Sequence, residues 1–202
     1  MEIKGFFCDE KIRLLCKLEE LDTSFCERER PLAQKYLLHP LLLLSSKFTF
    51  RIYVLLTSCN PFRFYIFPEG LVRIASKKYS PLDFSDLLVH LDSIDLNQSN
   101  VHQFMSRKEE EGEEKLESEG LRCKVSWVLQ HLKEREGLNV SRVWQQIETV
   151  VCLSLLANEP NFSHFSSSYL PSPSSSFLYL GYDIVCSSFL FSTFLFFSHT
   201  PC

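Results

Sequence analysis

Three short apolar runs separated by turn residues constrain the fold of this chain most. Ile52-Tyr53-Val54-Leu55-Leu56 is compact and rich in strand formers. Five residues are too few for a buried helix, so the run reads as a strand covered on both faces. Asn60-Pro61 signals a turn, and Phe62 to Phe67 is an aromatic, strand-like stretch. Pro68-Glu69-Gly70 reads as a second turn, and Leu71 to Ala75 as a third strand. Short strands with tight turns predict an antiparallel meander.

Helical periodicity follows. Val125, Val128, Leu129 and Leu132 fall at i, i+3, i+4 and i+7, the apolar stripe of an amphipathic helix. Gly137 is placed to stop it. A second helix is expected from about residue 141 to 157, with Val143, Ile147, Val150, Val151 and Leu155 inward and Pro160 as its end. Residues 166–176, rich in Ser and Pro, read as a loop. Phe177 to Val185 reads as a further strand. Strands first and helices after give an α+β chain, an antiparallel sheet flanked by helices.

The ends differ in character. Residues 9–21 carry Ile12, Leu15, Cys16 and Leu18 at helical spacing, so residues 1–30 are expected to form a helix and a linker. Residues 107–120 are dense in glutamate, and so little apolar surface predicts a flexible acidic loop. Residues 186–202 are mostly Phe, Leu, Ser and Cys. That apolar run is shorter than the ~20 residues a membrane helix needs. It reads as an aberrant hydrophobic tail, with a tail anchor as the other option.

A formal charge of -4 excludes a general nucleic-acid coat, which requires clustered Lys and Arg. The eight cysteines form no C-x-x-C pair, so the usual metal spacing is absent and reduced thiols are expected.

Over residues 31–185 a series of short motifs keeps one order. They are Gln34-Lys35-Tyr36-Leu37, Pro40-Leu41-Leu42, Lys47-Phe48-x-x-Arg51-Ile52-Tyr53-Val54-Leu55 and Glu69-Gly70-Leu71-Val72-Arg73. Tyr79-Ser80, Val89-His90-Leu91, Trp144-x-x-Ile147-Glu148 and Gly181-Tyr182-Asp183-Ile184 follow. Each piece alone is weak; together they resemble the tubulin tyrosine ligase-like family, and the Thr57 to Pro61 stretch is nearest its polyglutamylating members. The resemblance implies part of an ATP-grasp fold. It also implies ATP and Mg²⁺ as cofactors, tubulin or microtubules as partner, and a free amino acid, glutamate, as co-substrate. A cytoplasmic, cytoskeletal setting goes with it, including the cilium or basal body.

The matching positions carry implied roles. Gln34, Lys35 and Tyr36 would meet the adenine edge, and Lys47 the nucleotide. Arg51 and Arg73 would neutralise the γ-phosphate and an acyl phosphate, a geometry suited to planar guanidinium groups. His90 would sit beside the acceptor or the phosphates, and Asp183 would bind Mg²⁺, which prefers hard oxygen ligands. Departures accompany the matches. Thr49 stands where the family has Asp, Asp92-Ser93 where it has Thr-Asn, and no Glu-x-Asn follows Asp183. These departures predict a truncated product that binds ATP poorly and is weakly active or inactive. A non-catalytic tubulin-interacting fragment and a small tail-anchored membrane protein remain the alternatives.

Overall fold

The computed structural model describes residues 4–8, 11–15, 32–81, 84, 86–91, 122–169, 177–187 and 193–198. Near the start, β1 (Lys4–Cys8), β2 (Lys11–Leu15) and β3 (Leu32–Lys35) form an antiparallel sheet in the order β2-β1-β3. The expected helix over 9–21 is therefore corrected: its described residues, Lys11–Leu15, are extended and pair with β1. The apolar positions that suggested a helical face were few, and pairing with a neighbouring strand overrides so weak a periodicity.

The larger sheet has six strands. β4 (Leu42–Leu43) turns through Leu44 and Ser45 into β5 (Ser46–Cys59), which pairs with β6 (Phe62–Ile74). Beyond β6 lies β7 (Arg122–Lys124); on the other side of β5 lie β8 (Leu178–Cys186) and β9 (Thr193–Ser198), all antiparallel. The antiparallel pairing stands, but the expected three-strand meander is corrected: its second and third strands are one, and Pro68-Glu69-Gly70 is no turn. It lies inside β6, where Ile52 pairs with Gly70 and Val54 with Ile66, so β6 carries extra residues against β5. A bulge accommodates a residue without a backbone N–H, and Pro68 is exposed there. A Cβ on Gly70 would lie 2.3 Å from the Arg51 carbonyl oxygen, so the strands approach at a distance only glycine permits.

A single turn, α1 (Leu87–His90), precedes two longer helices, α2 (Val125–Glu136) and α3 (Val140–Tyr169). Gly137 ends α2 in the left-handed conformation at φ 65°, as the sequence indicated. Pro160 does not end α3, which continues to Tyr169 and takes in the first part of the expected 166–176 loop. Proline deprives the carbonyl four residues earlier of its donor. That residue, Leu156, is exposed, so water can serve in its place. The acidic segment 107–120 lies outside the described residues.

Alternation along β5 sets up the site. Phe48, Phe50, Ile52 and Val54 join Val72 and Ile74 of β6 and Leu180, Tyr182 and Ile184 of β8 in one core. Val128, Leu129 and Leu132 of α2 and Val143, Ile147, Val151 and Leu155 of α3 complete it. Successive side chains point to opposite faces, so Lys47, Thr49, Arg51, Arg73 and Asp183 share the face away from α2 and α3. β9 continues this sheet at residues where the sequence suggested a misfit tail. Among the described residues, no helix is long and apolar enough to cross a membrane.

Candidate anion-binding site

Arg51 and Asp183 stand opposite each other in the β5–β8 register. Arg51 Nε lies 3.0 Å from Asp183 Oδ1. Arg73, brought alongside by β6, places Nη1 3.6 Å from Asp183 Oδ2. The arginines thus meet at one carboxylate on the polar face. Gly181, two residues before Asp183 and on the same face, provides the room: a Cβ there would sit 2.6 Å from Arg51 Nη1. Buried charges require partners, and these three side chains supply them to one another.

Lys47 lies four residues before Arg51 on the same strand face, ~13 Å away at ordinary strand rise. Its Nζ donates to the His90 carbonyl oxygen at 2.9 Å and sits 4.7 Å from the centre of the Tyr36 ring. Tyr36 Oη lies 2.8 Å from His90 Nδ1. Phe84 stacks on the His90 ring at 5.0 Å, while Tyr36 and Tyr79 meet it edge-on. His90 is fully buried, so its ring packs behind Lys47 and away from solvent.

The candidates from the sequence thus fall into two groups. Arg51, Arg73 and Asp183 form one, and Tyr36, Lys47 and His90 the other. Gln34 and Lys35 end β3, whose backbone pairs with β1, and the chain passes directly from them into Tyr36. Tyr79, edge-on to the His90 ring, belongs to the second group, and in the sequence it stands only as part of a motif. The signal that could have exposed the polar face is the strict alternation of Lys47, Thr49 and Arg51 with Phe48, Phe50 and Ile52.

Magnesium does not fit this donor set as arranged. Both Asp183 oxygens face guanidinium groups, whereas Mg²⁺ needs several hard oxygens. Among the described residues no cluster of three or more His, Cys, Asp or Glu side chains could hold a metal ion. The face carries instead two guanidinium groups and, further along β5, an ammonium, side-chain types that pair with anions.

A sheet sealed by α2 and α3 on one face and bearing these cations on the other defines an α+β domain, consistent with the ATP-grasp type of fold. The chain belongs to the tubulin-tyrosine ligase family, which it matches over residues 9–199. It is 33% identical over 196 residues to a probable beta-tubulin polyglutamylase of Tetrahymena thermophila, covering 94% of this chain and 16% of that protein. It is 33% identical over 161 residues to the tubulin monoglutamylase TTLL4 of Mus musculus, covering 78% and 13%. It is likewise 33% identical over 162 residues to the tubulin polyglutamylase TTLL7 of Xenopus tropicalis, covering 76% and 17%. The chain therefore spans less than a fifth of the length of each of these relatives.

Proposed function

We propose that this chain carries part of the catalytic region of an ATP-dependent ligase that joins glutamate to tubulin tails. The convergence of Arg51 and Arg73 on one polar sheet face, with Lys47 on the same face, carries the reading. The relatives, named as tubulin polyglutamylases and a tubulin monoglutamylase, supply the substrate class.

In such a reaction a carboxylate oxygen attacks the γ-phosphorus of ATP, ADP leaves, and an acyl phosphate forms. The amino group of the second amino acid then attacks the acyl carbon; phosphate leaves, a proton is lost and an amide remains. Phosphoryl transfer depends mainly on positioning and on offsetting negative charge. Arg51 and Arg73 would hold the γ-phosphate and the acyl phosphate, Lys47 the other phosphates, and Gln34, Lys35 and Tyr36 the adenine edge. His90 would act at one remove, through the carbonyl that fixes Lys47. Asp183 would keep the arginines oriented.

The isolated chain is expected to bind nucleotide weakly and to ligate poorly or not at all. Thr49 offers no carboxylate, and Asp183 is engaged by arginines. The setting that goes with this reading is the cytoplasm and cytoskeleton, including the cilium or basal body.

Calorimetric titration of the whole chain with ATP and Mg²⁺ tests the proposal. Binding in the high-micromolar to millimolar range, lost in Arg51→Ala and in Arg73→Ala, is the expected result. Equal binding by all three proteins, or none by any, would sink it. Rapid Mg²⁺-dependent incorporation of glutamate into tubulin would contradict the weak-activity part alone.

A further inference from the structure

We propose that the aromatic row beyond Arg51 on the polar face of the sheet is a docking track for an extended acidic peptide, the acceptor whose carboxylate is to be activated. Tyr53, Tyr179, Phe67 and Tyr65 form the row, and Arg63 stands at its far end. The choice of occupant rests on the ligase reading above; the row itself rests on the sheet.

Register builds the row. Arg51, Tyr53 and Leu55 point to one face of β5, because Ile52, Val54 and Leu56 between them are buried in the core. On β8, Gly181 stands opposite Tyr53 and Tyr179 opposite Leu55; on β6, Tyr65 stands opposite Leu55 from the other side. Phe62, Phe64 and Ile66 of β6 pack against the core, which turns Arg63, Tyr65 and Phe67 to the polar face. The rings meet across β5. Tyr53 and Tyr179 stack at 5.4 Å with their planes 8° apart, and Phe67 meets Tyr179 edge-on at 6.2 Å. The outer rings are nevertheless in water, with Tyr65 56% and Phe67 43% exposed, and Arg63 is exposed beside them. Neighbouring exposed aromatics differ from scattered ones, and Tyr and Arg are residue types that protein interfaces favour.

Position selects the occupant. The Arg51–Arg73 pair divides the polar face along β5. On one side lies Lys47 with Tyr36 and His90, the side read as nucleotide-binding. The opposite face of the sheet is closed by α2 and α3. A peptide that brings its carboxylate to the two arginines therefore lies over the remaining side, along the aromatic row. At ordinary strand rise, Arg51 to Leu55 is ~13 Å and Tyr65 to Arg63 ~7 Å, so the track spans ~20 Å, about six residues of extended chain. Guanidinium groups at both ends match carboxylates on such a peptide, and the rings between them offer apolar cover to its backbone and side-chain methylenes.

The test is ¹H–¹³C NMR of the whole chain labelled at the tyrosine rings and titrated with hexaglutamate blocked at both ends. Tyr36→Phe, Tyr53→Phe, Tyr65→Phe and Tyr179→Phe assign the signals. Saturable shifts of Tyr53, Tyr65 and Tyr179, with Tyr36 unmoved, are expected. Tyr65→Ser and Phe67→Ser, both at exposed positions, should each weaken binding about tenfold with little change in Tm, and Arg63→Gln about threefold. No binding, equal binding by parent and variants, or equally tight binding of blocked hexalysine would each overturn the track. So would self-association in sedimentation that is lost in Tyr65→Ser, because a second copy of the chain would then cover the row. If hexaglutamate binds as expected but the parent binds no ATP, the track stands and the ligase reading falls. If ATP binds through Arg51 while hexaglutamate does not bind, the track alone falls.

Discussion

Gly181 leaves the space that the Arg51 guanidinium fills: a Cβ at residue 181 would lie 2.6 Å from Nη1 and 3.2 Å from Cδ. The obstructed group is the far end of a flexible side chain. Gly181→Ala should therefore fold with a small change in Tm while displacing Arg51 from Asp183. ATP binding should weaken about tenfold, read by calorimetry beside thermal melts. Normal affinity together with normal stability would show that Arg51 has no required position.

Asp183 stabilises the charge of Arg51, whose side chain is only 9% exposed. Removing one partner of a buried pair leaves an uncompensated charge, a loss on the order of 3 kcal/mol. Asp183→Ala should lower the urea midpoint accordingly. The double variant Arg51→Met/Asp183→Leu should recover most of that stability without recovering anion binding.

Glu69 caps a helix in a different part of the chain. Its Oε1 accepts from the Ser126 backbone N–H and its Oε2 from the Ser126 hydroxyl at the start of α2, where Lys124 provides no side-chain cap. Partial burial pushes its carboxyl up, but the bonds from Ser126, Gly70 and Val125 outweigh that and hold it below 4.5. The folded chain thus favours the charged form. Its stabilisation is fully present above about pH 4.5 and is lost as pH falls through the depressed value. Glu69→Ala should cost about 1 kcal/mol at neutral pH, as helix-cap losses do. The difference from the parent should shrink in melts carried out below that range.

Burial pushes the Cys186 thiol from 9.0 up to about 12. Because the thiolate is the reactive form, alkylation at pH 8 should be about a thousandfold slower in the folded chain than in urea. Mass spectrometry of the labelled peptide measures the ratio. Between pH 9 and 12 the same shift should favour unfolding, since the unfolded thiol ionises first.

Strands and helices were legible where one period dominated. The stripe of Val125, Val128, Leu129 and Leu132 and the stop at Gly137 appear in the structure as read. Pro68 and Pro160 misled because proline marks a missing N–H, and a turn, a bulge or a wet helix face can each accommodate that. The meeting of Arg51 with Asp183 joins residues 132 positions apart in sequence through the β5–β8 register, which no local pattern reveals. Family likeness named the two residues; their contact had to come from the sheet. Tyr79 was missed because its hydrogen bonds reach distant carbonyls, and a tyrosine in sequence does not say where its hydroxyl ends.

β5 presents phenylalanine, isoleucine and valine to oil on one side and lysine, threonine and arginine to charge on the other. Deleting a single residue near Ser46 would turn every later side chain of that strand through half a revolution. Arg51 would then be thrust among the core side chains of α2 and α3, and Phe50 toward the polar face. Evolution can swap letters on this ribbon one at a time, but it cannot shorten it by one.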